Sequence, residues 1–227
     1  MFKPTDLFDL TQTEHAALFD GCEFAWDALK KLKAYIEAHA KDAPPHASFG
    51  AQVFIGPHVL IGEGTVIEDG AMIKGPAIIG RNCEIRHGAY IRDHVIIGDG
   101  CVIGNSSELK HSLLLNGCQV PHFNYVGDSI LGHKTHLGAG VILSNLKSLP
   151  GNVTVEINGQ PHDTGLRKFG AMLGDRADIG CNSVLNPGSV IGRGTLMYPL
   201  TNWRGVVGPN RIVKNKSAVE VVERRMK

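Results

Sequence analysis

The chain has 227 residues, with 23 Lys+Arg against 22 Asp+Glu and a formal net charge of +1. That balance gives no electrostatic case for a nucleic-acid or membrane-surface partner, and no run of eighteen apolar residues exists to cross a bilayer. The opening M-F-K-P-T-D-L-F-D-L lacks the apolar stretch and small-residue cleavage site of a signal peptide, so the expectation is a soluble, cytoplasmic chain. Five cysteines (Cys22, Cys83, Cys101, Cys118 and Cys181) contain no C-x-x-C pair, and an odd number without a secretion signal reads as reduced thiols. Glycine is frequent, at 28 residues, and aromatics make up only 6%, which suits a core of small and aliphatic layers.

Residues 1–44 read as a short helical segment. Asp20-Gly-Cys-Glu23 has the spacing of a capping box, and Cys22, Ala25, Trp26, Leu29, Leu32 and Ile36 then recur at helical spacing. Lys30, Lys31, Lys33 and Glu37 fall on the opposite, solvated side. Pro44-Pro45 ends the segment, since neither residue can continue a helix.

From Ile55 the period changes. Ile55, Ile61, Ile67, Ile73, Ile79, Ile85, Ile91, Ile97, Ile103, Leu109 and Leu115 stand six apart without a slip. Four residues after each start comes a mostly small or β-branched residue, among them Thr65, Ala71, Ala77, Cys83, Ala89 and Cys101. This is a hexapeptide repeat, the signature of a parallel β-helix. Each hexad makes one strand and one turn, three hexads close a triangular coil, and the inward aliphatics stack at about 4.8 Å. The small fourth residue relieves crowding at the corner. Cys83 and Cys101 occupy that small slot in successive coils, which makes them packing residues rather than metal ligands or a disulfide.

The repeat returns at Leu173, Ile179, Leu185 and Ile191. Between the two halves, residues 147–164 break the pattern, and Asn158-Gly159 is a turn signal between extended residues, so a projecting loop or hairpin is expected there. The coil is expected over 45–200. Residues 201–227 are expected to cap it, with a helix from Val213 onward opened by Ser217-Ala-Val-Glu220. An uncapped end would expose a sheet edge.

The aliphatic start is lost at Pro121, and the next starts, Val126, Leu131 and Leu137, come at steps of five, five and six. Here the chain reads His122-Phe-Asn-Tyr125-Val-Gly127-Asp128-Ser, then Leu137-Gly-Ala139-Gly140 and Asn145. With Arg86-x-Gly-Ala, Lys110 twelve residues before His122, and Lys168-Phe169, this resembles one known family. It is the acetyltransferase domain of the bifunctional N-acetylglucosamine-1-phosphate uridyltransferase/glucosamine-1-phosphate acetyltransferase, over roughly residues 50–200. The hexads alone would say only left-handed β-helix. No glycine-rich phosphate signature opens the chain, so no counterpart of the uridyltransferase half is expected in it.

That resemblance implies a left-handed parallel β-helix, an acetyl-CoA co-substrate, no metal, and an amino-sugar 1-phosphate acceptor such as glucosamine-1-phosphate. His122 matches the general base, while Arg86, Lys110 and Lys168 match residues that hold the sugar phosphate. Tyr125 matches a sugar contact. Ala139 and Asn145 match residues beside the acetyl donor, and Cys181 falls with Ala139 on the donor side. The chain departs from the family where a sugar-contacting Asn is replaced by His136, where Leu146 stands for a Tyr, and in the longer 147–164 insertion. These departures bear on which sugar is used more than on the reaction.

The residue types fit that chemistry. Transfer from a thioester needs a neutral amine, and an imidazole titrating near ~6.5 can take its proton at neutral pH. A tetrahedral oxyanion needs N–H donors, which the Gly138-Ala139-Gly140 turn can present. A phosphate needs cations, with Arg suited to bidentate contact. Arg86 and His122 are 36 residues apart, so they are expected on one face, about 10 Å apart along the axis. Lys110 falls on a different face. If all three serve one substrate, Lys110 comes from a neighbouring subunit, which implies a homotrimer. Two alternatives are a non-catalytic oligomerisation or regulatory β-helix, and an acyltransferase for another amino or nucleotide sugar. A three-histidine zinc site is a weaker one: His58 and His94 are spaced for it, but Asp99 stands where the third histidine is needed.

Overall fold

The computed structural model describes residues 2–40, 47–215 and 223. Nearly all the strands are two to four residues long and lie in three parallel sheets of nine, eight and eight strands, each strand paired with the one a coil earlier and a coil later. This is the three-sided, left-handed parallel β-helix that the hexads predict. We call the three faces A, B and C in the order the chain visits them. Ile67, Ile85 and Ile103 stack inward on face A, Ile73, Ile91 and Leu109 on face B, and Ile79 and Ile97 on face C, all at or below 1% exposure. Burying each such side chain contributes about 1.5–3 kcal/mol, so the stack is the main source of stability. No helix among the described residues is long and apolar enough to cross a membrane.

The register departs from the sequence expectation after Leu109. Ile97 pairs with Leu114, not Leu115, and Ile103 pairs with Val120, so Val120 rather than Pro121 fills the inward slot. The coil shortens to five residues between Leu109 and Leu114 and again between Val126 and Leu131, both times at the B–C corner. His111 and Asp128, at φ +45° and +46°, turn those two tight corners through the left-handed region. One coil later the same corner carries the insertion. Leu143 ends a face B strand, and the coil does not resume until Ala171–Leu173 on face C. All three irregularities fall at one edge of the prism.

The insertion forms a hairpin, Thr154–Ile157 against Gln160–Asp163. Its turn residues Asn158 and Gly159 both take positive φ, the geometry that an Asn-Gly hairpin turn requires. The hairpin does not stand free: Val153 and Val155 are buried, and the His162 ring lies 4.6 Å from Phe24. It packs beside the N-terminal segment, and together they cover face C. The outward side of that face is apolar (Leu60, Ile78, Ile96, Leu113, Ile130, Met172 and Val190), and it forms one cluster with Leu7, Trp26, Leu29, Leu32 and Ile36.

The N-terminal helix runs Asp27–His39, not from the Asp20–Glu23 box. Gly21 at φ +67° breaks the chain there, and the Asp27 carboxylate accepts from the Phe24 N–H to start the helix instead. Its expected apolar face is the buried one, with Cys22 half-buried at the margin. At the other end, parallel strands continue past residue 200. Asn202–Trp203, Val206–Val207 and Ile212–Val213 pair with the preceding coil, so Val213 belongs to a strand rather than a helix start. The Ser217–Glu220 capping box lies outside the described residues.

The covered stripe makes a stability prediction. Ile96→Ala, although on the outward side of its strand, should lower the unfolding free energy by about 2–5 kcal/mol, as a core truncation does. Glu84→Ala, outward on open face A, should cost less than about 1 kcal/mol. Denaturant titration of the two variants measures both, and equal small losses would contradict a covered face C.

Candidate active site

The sequence-expected site residues fall into three groups on the prism. Arg86 and His136 point outward from face A. The Arg86 guanidinium pairs with Glu84 at 2.7 Å, and His136 Nδ1 lies 2.8 Å from Asp178 one coil on. Because Ile85, Ile103 and Val120 are in register, Arg86 lines up with Pro121, while His122 lines up with Asn105. Arg86 and His122 therefore share face A, offset by one residue rather than aligned.

The second group is a column at the A–B corner. His122 ends the strand Gln119–His122 with its side chain exposed. Its neighbour Phe123 is turned through φ +44° and is 59% exposed. One coil on stands Ala139, whose turn donates the Gly140 N–H to His122 O at 3.0 Å, and the next coil brings Cys181, exposed. Of the three N–H groups in the Gly138–Gly140 turn, Gly138's bonds Ile179 O and Gly140's bonds His122 O. Ala139's has no hydrogen-bond partner among the described residues and is the unengaged donor of the turn.

The third group lies along face B to the B–C corner. Tyr125 projects from face B half-buried, and that burial raises its phenol above the ordinary value, with Glu108 and Asp128 adding to the effect. It is a hydroxyl donor at neutral pH. Lys110 sits in register with Gly127 at the far edge of the face. Asn145 follows on the next coil, where Phe169 N–H donates to Asn145 O at 2.9 Å, and Lys168 bridges to Leu146 as the chain returns from the insertion. A cavity of about 380 Å³ opens beside Asn145, lined by Ser144, Leu146, Lys147, Asn186 and Arg204 among others. The A–B column and the B–C corner thus occupy opposite edges of face B in one chain.

Two buried residues that brace these groups were not singled out by the sequence pattern. Asn124, 2% exposed, accepts the His122 N–H at 3.0 Å and donates to Gly138 O at 2.8 Å, tying the His122 corner to the Ala139 turn. Asp128, 5% exposed, receives Asn145 Nδ2 and faces His111 Nδ1 at 2.9 Å. For Asn124 the signal available was an amide in the slot that the hexads mostly give to small or β-branched residues, while Asp128 stands at the tightened corner just before that slot, which Ser129 fills. By contrast Cys83 and Cys101 pack the core: burial pushes the Cys83 thiol up to about 12 and raises Cys101's well above its ordinary value. Among the described residues, no group of three His, Cys, Asp or Glu is arranged to hold a metal ion.

With the coil and its corners in place, the chain is a hexapeptide-repeat protein of the left-handed β-helix class. The model of the GMPPB C-terminal domain matches residues 73–159. The bifunctional sugar-1-phosphate nucleotidylyltransferase/acetyltransferase of Sulfurisphaera tokodaii is 37% identical over 151 residues, covering 59% of this chain and 38% of that one. The bifunctional protein GlmU of Methanococcus maripaludis is 34% identical over 121 residues, covering 53% of this chain and 29% of that one. Among solved structures, LpxA from Acinetobacter baumannii has a TM-score of 0.38 at 18% identity, over 78% of this chain and 66% of that one. The resemblance drawn from the His122–Asn145 stretch holds, and the chain spans well under half the length of these bifunctional relatives.

Asn124 generates a direct test of the brace. Asn124→Ala leaves the His122 N–H without its partner and takes one of two donors from the Gly138 carbonyl, which keeps the Val141 N–H at 3.3 Å, and the orphaned group costs about 1–3 kcal/mol. The variant should lose stability on that scale in a denaturant titration. A loss below about 0.5 kcal/mol would show that the amide does not hold the corner.

Proposed function

We propose that the chain is an acetyl-CoA-dependent N-acetyltransferase acting on an amino-sugar 1-phosphate such as glucosamine-1-phosphate, with His122 as general base. The observation that carries this reading is the A–B column. An exposed imidazole stands directly below a turn whose one unengaged N–H is Ala139's, in a chain 37% identical over 151 residues to part of a bifunctional sugar-1-phosphate nucleotidylyltransferase/acetyltransferase.

In this reading His122 takes a proton from the sugar amine as the amine attacks the thioester carbonyl carbon. The Ala139 N–H donates to the oxygen that gains charge. The carbon–sulfur bond then breaks, and the coenzyme A thiolate leaves and takes up a proton. Fixed donors of this kind contribute about 2.7–4 kcal/mol each to such steps. Arg86, Lys110 and Lys168 supply cations for the sugar phosphate, and Tyr125 and His136 meet the sugar. Asn145 lies beside the transferring acetyl group, and Cys181 continues the donor's path along the column. Orientation by these contacts lowers the barrier further, since it replaces an encounter in water with a fixed approach.

The sites form between subunits of a homotrimer. Two features support this: the base column and two of the phosphate cations, Lys110 and Lys168, stand at opposite edges of face B, and face C is closed by the N-terminal segment and hairpin. Faces A and B are left to meet a neighbour, and they expose Phe54, Val66, Met72 and Ile142 at 38–51%.

A thiol-release assay tests the reaction. Acetyl-CoA is supplied with glucosamine-1-phosphate, galactosamine-1-phosphate or their nucleotide-linked forms. One of the 1-phosphates should turn over fastest, and His122→Ala should lower kcat by about 10²–10⁴-fold. Full rate in the alanine variant would remove the general base. No thiol release with any amino sugar would favour a non-catalytic β-helix module.

A further inference from the structure

The B–C corner holds a buried carboxylate that the chemistry above does not use. Asp128 is 5% exposed and its backbone is held from both sides, donating to Lys110 O at 3.0 Å and accepting from Gly170 N–H at 2.9 Å. Its two carboxylate oxygens serve different partners. Oδ1 faces His111 Nδ1 at 2.9 Å, and Oδ2 accepts from Asn145 Nδ2. A carboxylate accepts and does not donate, so Asn145 must turn its NH₂ group, not its carbonyl, toward Asp128. The Tyr125 hydroxyl lies close to the same NH₂ group. Gly127 makes room for that meeting, because a Cβ there would stand 2.7 Å from both Asn145 Nδ2 and the Tyr125 hydroxyl oxygen.

With its NH₂ turned to the carboxylate, Asn145 has its carbonyl oxygen left to meet a substrate. We propose that Asp128, backed by His111, is a positioning residue that fixes this orientation, so that Asn145 accepts a hydrogen bond from the attacking amine. The proposal rests on the acetyltransferase reading above. An acceptor at that point binds an amine N–H and leaves the nitrogen lone pair free to attack. The flipped amide would place a donor there and tie up the lone pair. The bracket is footed beyond the corner: the His111 ring stands edge-on to His94 at 6.3 Å, and His94 is 3.0 Å from Asp93 and 3.6 Å from Glu37 of the N-terminal helix.

Asp128→Asn tests the proposal with little change of shape, and Asn is among the few residues that tolerate a left-handed backbone. It should lower kcat about 10–100-fold, the cost of a misplaced reacting group, while leaving the KM for acetyl-CoA near the parent's. Asn145→Asp alone, which sets two carboxylates against each other, should also be slow. The double variant Asp128→Asn/Asn145→Asp reverses the hydrogen bond: the new amide at 128 donates to the new carboxylate at 145, which still turns an acceptor outward. It should recover most of the lost kcat, which a merely structural role for Asp128 would not produce. Parental kcat in Asp128→Asn, or a double variant as slow as the single ones, overturns the proposal. A second readout needs no turnover. Side-chain N–H exchange at Asn145, followed by NMR, should be slow in the parent and faster in Asp128→Asn. Equal exchange overturns the bracket, whereas a parent that acetylates no amino sugar while showing the exchange difference overturns the acetyltransferase reading instead.

Discussion

The constraint on which the rest depends is that every coil must return an aliphatic side chain to the same inward slot, one strand spacing above the last. Ile85, Ile103 and Val120 obey it on face A, and Leu109, Val126 and Leu143 on face B. The stack fixes the strands but not the path of the chain around the corners. A corner can be shortened by a residue or opened by an insertion, provided the next aliphatic lands in place. The protein does both at one edge, twice by tightening at His111 and Asp128 and once by inserting the hairpin after Asn145. Because the departures share an edge, they bring Lys110, Asp128 and Asn145 into successive coils of the B–C corner, with Lys168 beside Asn145 where the insertion returns. The regular A–B corner, meanwhile, keeps His122, Ala139 and Cys181 in a straight column.

The apolar outer side of face C is the second determinant. An exposed aliphatic stripe of that length would cost solubility and invite association. Here Trp26, Leu29, Leu32 and Ile36 of the N-terminal segment and Val153 and Val155 of the insertion cover it. The two parts of the chain that fall outside the hexad pattern thus form one layer. The layer touches the B–C corner through Glu37 and His94, so a segment far from the site in sequence stands behind it in space.

Much of this was legible in the sequence. Six-residue spacing of Ile and Leu is enough to give strands, coils and the β-helix, because a strand with one buried face leaves no freedom of register. The register was misread where three leucines run together: Leu113, Leu114 and Leu115 each satisfy the pattern, and only Leu114 points inward. The small slot carried the true signal, since Cys118 follows Cys101 by seventeen residues instead of eighteen and both thiols sit in the same buried position. The apolar outer stripe of face C was equally visible, as a second aliphatic column beside the inward one. Tertiary contacts decided the remainder. The helix starts at Asp27 because Gly21 turns the chain and the Asp27 carboxylate holds the incoming Phe24 N–H, and no local pattern announces that His162 will lie against Phe24.

The central claim is that the base column of one subunit and the phosphate-binding corner of its neighbour form one site. Mixing subunits that carry His122→Ala with subunits that carry Lys110→Ala tests it most directly. Each variant alone should be nearly inactive. Randomly mixed trimers should recover about one quarter of parental thiol release, since one interface in four joins an intact His122 to an intact Lys110. A mixture no more active than the separate variants would place both residues in the same subunit's site and contradict the account.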